Sequence, residues 1–531
     1  MDRNLKPGDV AHDLLSRLRN AVFRFRLLTL LLISLALNAP VGLPSAQAQT
    51  QNLPTLGDVD SEDLTPAAER RLGEQIMREV RRDPAYLSDP ESAEYLNHLG
   101  YQLVSVSASR SIDFVFFLIR DPMLNAFALP GGFIGIHSGL VIAAQSESEL
   151  AGVVAHEIGH VTQRHIARML AKQKESTAMA IGAILLAILA ARAGGSSSGD
   201  LAQAAVLGGQ AAALQQQLNF SRDAEREADR VGFQTLSEAG FDSRGMESFF
   251  TRLQAGSRLY EGTAPAYLRT HPMTVERISD MQNRTRDLAV RQRPDSLDFL
   301  LVRARLKVVQ ETSVQGWRDQ LEYFEAQLKN RTMPSEVAAR YGAAVAAQRL
   351  NLPDLAVQNA LAARRLTKVP SAMLDKLVAE TRFAAAKTDV ERRAALDAAR
   401  DTATRFPLSA MAVANYIELL NRSGDHAAAI AYLREQEAIT RGQAGYFYLL
   451  SRSYGALGKQ SLQHQATAEM YSLLGARAAA LQQFELARNA NDGDYFTMAE
   501  IDARIRDLQV QLKREMEAAR DGGGRPPGKQ Q

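Results

Sequence analysis

The sequence predicts a mainly α-helical protein in two parts: an α+β domain built around a small antiparallel sheet, then an α-solenoid of paired helices. Three observations carry that expectation. Residues 112–136 hold short β-rich runs broken by Pro130-Gly131-Gly132, the punctuation of a turn between strands. A helical stretch follows that contains His156-Glu157-Ile158-Gly159-His160. Past residue 295 the chain becomes alanine-rich, and turn-like residues recur at Asp354, Asp389, Gly424, Gly458 and Gly493. Their spacing of 35, 35, 34 and 35 residues matches a two-helix repeat of the tetratricopeptide class.

Taken in order, Arg24 and Arg26 precede an apolar run from Leu27 to Leu37, and Ala46-Gln47-Ala48 stands before Gln49. That is the pattern of a secretory signal peptide with its small-x-small cleavage site, expected over residues 1–48 and giving an exported chain rather than an anchored one. A polar linker follows at 49–64. Cysteine is absent, which excludes disulfides and thiolate metal sites, so any metal here is held by histidine and carboxylate. The net charge of +2 gives no electrostatic footprint for nucleic acid, and none is expected as a partner.

Helices are expected from Pro66 to about Arg82 and from about Ser92 to Ser107. The strands come next, at Ile112–Ile119, Asn125–Leu129 and Phe133–Ile136. An edge of this sheet within Asn125, Ala126, Phe127, Ala128 and Leu129 is the candidate surface for pairing with an extended peptide backbone. Ser146 followed by Glu149 forms a capping box that starts the central helix at about Glu147.

In that helix His156 and His160 lie about 40° apart on one face, because each residue turns 100°. Both imidazoles can therefore reach one metal ion. Glu157 sits on a neighbouring face, close enough to take a proton from an activated water. His165, nine positions after His156, falls about 180° away on a continuous helix and is not expected to be a ligand. A third ligand is sought downstream. Glu225 and Asp229, four apart on a helix opened by Ser221, allow Glu225 to bind metal and Asp229 to hydrogen-bond a ligand histidine. Read alone, this segment is more readily an exposed charged helix.

Between the two motifs lies the apolar run Ala178 to Ala191, followed by a Gly/Ser-rich loop. At about fourteen residues it is short for a membrane span. A buried core helix, a lid over the metal cleft and a segment in peripheral contact with a membrane remain the three readings. The repeats are expected over 296–515, closed by a last helix from about Phe496 to Ala519, with a disordered tail at 516–531.

The pair H-E-x-x-H and E-x-x-x-D resembles the zinc metallopeptidases of the CaaX-prenyl-endopeptidase and HtpX kind, most closely their soluble periplasmic branch with a tetratricopeptide tail. The likeness spans roughly residues 60–515. It implies a zincin-like metallopeptidase domain at 65–295, one zinc ion per chain held by His156, His160 and Glu225, and Glu157 as general base. Thr270-His271-Pro272, followed by Arg277, resembles the family's later histidine motif. The resemblance gives His271 one of two roles: stabilising the oxyanion, or occupying the metal's open position in a resting form. It further implies a periplasmic endopeptidase acting on unfolded or misassembled outer-membrane proteins in contact with the β-barrel assembly machinery. The alternatives are a chaperone or assembly scaffold with a gated zinc site, and a zinc hydrolase that does not cut proteins.

Overall fold

The computed structural model describes residues 65–107, 112–171, 222–257, 266–286, 293–437 and 442–522. The expected signal peptide, the linker, the 178–191 run with its three readings, the Ser221 cap and the end of the tail lie outside these residues.

Two capped helices open the fold. The hydroxyl of Thr65 accepts from Ala68 N at the start of α1 (Pro66–Val80), and Asp89 accepts from Ser92 N at the start of α2 (Pro90–Val104). In both, proline takes the first helical turn, where its missing N–H costs nothing. The sheet has three strands, β1 (Val115–Ile119), β2 (Ala126–Leu129) and β3 (Phe133–His137), in the order β1-β3-β2. β2 and β3 form the expected hairpin, turned at Gly131 and Gly132 with φ of 75° and 94°, the left-handed region that glycine alone enters freely. β1, however, pairs parallel to β3. The sheet is therefore mixed, a correction to the antiparallel one expected. Alternation in a sequence fixes which residues face the core, and only a tight turn fixes direction; β1 reaches β3 through β2 and carries no such turn.

After α3 (Ser138–Ala143) comes the central helix α4 (Glu147–Thr162), whose residues from Glu147 to Val161 are all buried. A helix enclosed on every side needs close neighbours, and small residues provide the room. α6 (Arg222–Glu238) crosses it so tightly that a Cβ on Gly159 would meet the Ala228 carbonyl oxygen at 2.9 Å, and one on Gly232 the His156 nitrogen at 2.9 Å. The remaining helices of this region are α5 (His165–Ala171), α7 (Arg244–Ser257), α8 (Ala266–Thr270) and α9 (Val275–Arg286).

The repeats begin with α10 (Leu297–Val309) and α11 (Val314–Asn330). Helix pairs follow: α12 (Glu336–Arg349) with α13 (Pro353–Arg365), α14 (Ala372–Ala385) with α15 (Asp389–Arg405), and α16 (Ala410–Ser423) with α17 (His426–Glu435). α18 (Ala444–Ala456) pairs with α19 (Gln460–Leu473), and α20 (Arg477–Asn489) with α21 (Tyr495–Gly522). The periodic residues mark where the second helix of each pair begins. Gly424 and Gly458 take φ of 85° and 72° in the turn itself, whereas Asp354 and Asp389 stand in the first turn of the helix that follows. α21 runs to Gly522, so residues 516–522, expected in the tail, are helical.

No seam in the core separates the two parts. One hydrophobic cluster runs from Leu96, Ile134 and Leu150 through Phe299 and Leu306 to Tyr341 and Leu377. Polar contacts cross at the same place. Asp295 accepts from Glu147 N at 2.7 Å, while the Ser296 hydroxyl, which caps α10, donates to Glu147 Oε1 at 2.6 Å. The first turn of the central helix is thus held by the chain that enters the repeats.

Candidate metal centre

Three elements bring the predicted residues together. α4 presents His156, Glu157 and His160, α6 presents Glu225 and Asp229, and the chain after α8 brings in His271. Ligand atoms from His156, His160, Glu225 and His271 all lie within 4.8 Å of one another, and all four residues are buried. His156 Nε2 is 3.0 Å from His160 Nε2 and 3.5 Å from Glu225 Oε2. His160 Nε2 is 3.4 Å from Glu225 Oε1, and His271 Nδ1 lies 3.0 Å from that oxygen and 3.4 Å from His156 Nε2.

The surrounding groups fix how these side chains face. Asp229 Oδ1 lies 2.9 Å from His156 Nδ1, which leaves Nε2 turned to the cluster. Arg277 holds both carboxylates: its Nη1 is 2.7 Å from Glu225 Oε2 and its Nε 2.6 Å from Asp229 Oδ2. Pro272 O accepts a further bond from Arg277, tying the histidine-bearing turn to the same guanidinium. At the head of α4, only half of the expected capping box forms. Ser146 accepts from Glu149 N, but the Glu149 carboxylate accepts from Gln145 N and Ser248 Oγ and meets Arg252 instead.

Burial and charge set the protonation. Burial pushes His160 well below the ordinary imidazole range, so it is neutral, as a ligand must be. Burial acts the same way on His156, but hydrogen bonds to Asp229 and Glu225 outweigh it and lift its pKa to about 9. Burial would raise Glu225, yet His271 and the two helical imidazoles hold it well below the usual carboxylate range. Glu157 is raised by burial, offset only in part by His271 and His156 and by the Ala128 main chain of β2. Both of its oxygens are buried, and Oε1 lies 3.4 Å from His271 Nε2.

This set fits a divalent metal ion. Glu225 and Asp229 both pair with the one guanidinium of Arg277, and the Glu157 carboxylate lies beside His271, so with the imidazoles neutral the acids outnumber the cation. Two imidazole nitrogens and a carboxylate oxygen directed at one point are the donors that zinc and similar ions take.

The candidate edge strand is an edge by position, since β2 pairs with β3 on one side. The side chains of Ala126, Ala128 and Leu129 are buried and that of Phe127 is partly exposed. Asn125 precedes the strand, and its Nδ2 lies 3.4 Å from His137 Nε2.

Two residues went unrecognised in the sequence. His165 does not join the cluster, as expected, but it is not remote either: its Nδ1 lies 2.9 Å from His160 Nδ1, and its Nε2 3.1 Å from Glu227 Oε2. The 180° estimate assumed a continuous helix. α4 ends at Thr162, Arg164 takes φ 51°, and α5 starts afresh at His165, folding the ring back behind His160. The second is Tyr267, whose ring stacks on His271 with centroids 4.6 Å apart. Its position four before His271 in the sequence was the available signal.

The chain is similar to known peptidases. The model of peptidase family M48 matches residues 90–285. The beta-barrel assembly-enhancing protease of Escherichia coli K12 is 31% identical over 486 residues, covering 88% of this chain and 94% of that protein. A Vibrio cholerae relative is 41% identical over 279 residues, which is 52% of this chain and 56% of its own. The mitochondrial metalloendopeptidase OMA1 of Schizosaccharomyces pombe is 28% identical over 226 residues, covering 41% of this chain and 62% of that one.

Proposed function

The chain belongs to the family of the beta-barrel assembly-enhancing proteases and is a metalloendopeptidase, and from that premise we propose that it is a zinc-dependent enzyme of the periplasm that degrades misassembled outer-membrane proteins and assists β-barrel assembly through its repeats. The observation that carries the catalytic part is the convergence of His156, His160 and Glu225 beside the buried Glu157 carboxylate.

In this reading His156, His160 and Glu225 hold one zinc ion, and the ion supplies a Lewis acid that polarises the scissile carbonyl and acidifies water. Glu157 takes the proton as water attacks and delivers it to the leaving amine, a role suited to a carboxyl whose pKa burial has raised. Asp229 fixes the His156 ring, and Arg277 fixes Asp229 and Glu225. β2 offers its edge to an extended substrate. His271 Nδ1 lies within the ligand group, which supports its role as a resting fourth ligand. With the buried site, that favours a gated enzyme over one open at all times.

No described helix is long and apolar enough to cross a membrane. Helical repeats of this length commonly bind partner segments along a groove, which supports recruitment of outer-membrane proteins and of their assembly machinery by residues 296–515. The test has two arms. Unfolded casein should be cut by the full-length protein, the cutting should stop with chelator, and stoichiometric zinc should restore it; chelator-insensitive cutting refutes the metal reading. Crosslinkers placed in the repeats should capture outer-membrane β-barrel proteins in cells, and a yield without them refutes the recruitment reading.

A further inference from the structure

Tyr267 is fully buried, and its hydroxyl has no hydrogen-bond partner among the described residues. Leaving a buried donor unmet costs about 1–3 kcal/mol, and phenylalanine would fill the same space without that cost. The position is also well defined. Tyr267 N donates to Leu124 O, just ahead of β2, and His271 N donates to Tyr267 O at 2.8 Å. The ring stacks on His271 at 4.6 Å and 29°, and its centroid lies 6.4 Å from that of His156. The charged groups that act on the phenol are those of the metal centre, Glu157 foremost among them, after burial itself. A phenol is a neutral O–H donor at neutral pH.

The other donors around the cluster are engaged. Arg277 is held by Glu225, Asp229 and Pro272 O. His271 lies against Glu225 and Glu157.

We propose that the Tyr267 hydroxyl is the catalytic donor that stabilises the oxyanion formed on the scissile carbonyl. This rests on the peptidase reading above. As the oxygen of water bonds to the carbonyl carbon, its proton passes to Glu157 and the carbonyl π pair moves onto oxygen. The Tyr267 O–H hydrogen-bonds that oxygen without giving up its proton. The pair then returns, the C–N bond breaks, and Glu157 gives its proton to the leaving nitrogen. A donor that finds its acceptor only in the transition state lowers the barrier without tightening substrate binding.

The test is Tyr267→Phe in the full-length protein, which keeps the ring and removes one oxygen. Expected is a fall in kcat on a fluorescent casein-derived peptide of about 10²–10³-fold, with KM and bound metal unchanged. Affinity for a phosphonate pseudopeptide of the same sequence should fall by a similar factor, while affinity for the product peptides holds. The melting temperature should stay level or rise, because an unmet donor is gone. Wild-type kcat and phosphonate affinity in the variant overturn the proposal, and so does loss of metal or of stability, which would make the tyrosine a structural post. Failure of the peptidase reading is seen elsewhere, in a wild-type protein without chelator-sensitive cleavage.

Discussion

Among the described residues two clusters of charge, each with three carboxylates, differ in how the carboxylates are answered. In the candidate metal centre Arg277 pairs with Glu225 and Asp229, while Glu157 lies beside His271. In the other, Asp89 and Glu91 at the head of α2 meet Arg305 of α10 and Lys376 of α14, which also pairs with Glu380. Arg305 embraces Asp89 at 2.7–2.9 Å, and Lys376 Nζ lies 2.6 Å from Glu91. Cations and anions there nearly balance, and the cluster bolts the repeats to the peptidase segment. The candidate metal centre is left shorter of positive charge, with the Glu157 carboxylate buried inside it. Balance marks a fastener, and imbalance marks a place where chemistry is done.

Substitutions should separate the two. Glu157→Gln should lower casein cleavage by about 10²–10⁴-fold while metal content and unfolding midpoint stay at wild-type values; undiminished cleavage would take Glu157 out of the mechanism. Arg305→Met should do the reverse. It strands Asp89 and Glu91 in the interior and should cost about 3–5 kcal/mol in urea unfolding, with specific activity per folded molecule retained. A cost below about 1 kcal/mol would make the cluster surface-like.

Acidity sharpens the contrast. Burial would raise Asp89, but Arg305 and Ser92 hold its pKa down to about 2. A carboxyl depressed by folding contributes stability above its unfolded pKa and loses it as pH falls through the folded one. About 2 kcal/mol should therefore disappear between about pH 4 and pH 2. His156 has the opposite sign in metal-free protein. Lifted to about 9, it contributes below its unfolded pKa of about 6.5 and ceases to contribute as pH rises through 9. Chelator-treated protein should lose stability on the alkaline side, and metal-loaded protein should not. Unfolding curves across pH, with and without metal, read both slopes.

Smaller effects probe the supports. His165→Ala removes the ring behind His160 and should weaken metal binding by about 10–100-fold, measured by competition with a chromophoric chelator. Unaltered affinity would leave His165 as packing. Ser296→Ala removes both the α10 cap and the bond to Glu147 and should cost about 1 kcal/mol, read as a shift in unfolding midpoint.

The metal centre was largely legible because its logic is local: four-residue spacings on two helices place His156 with His160 and Glu225 with Asp229. The fastener was not. Asp89 and Arg305 stand 216 residues apart, and Glu91 and Lys376 285 apart, so each read as an ordinary surface charge. His165 escaped because one left-handed residue, Arg164, broke the helix on which its angle was counted. The parallel pairing of β1 escaped because no tight turn announces a strand's direction.

The contact between Glu147 and the Asp295–Ser296 segment has a consequence for the order of events during synthesis. A ribosome delivers the chain from its N-terminus, and contacts between distant residues form only when the later partner has emerged. The helix bearing His156 and His160 is therefore made long before Asp295 and Ser296, or the α10 residues that seal its core, exist to steady it. A chain ending before Asp295 carries His156 and His160 without the contacts that hold the head of their helix. The head of the central helix is therefore held in its final contacts only after the first repeat has been made.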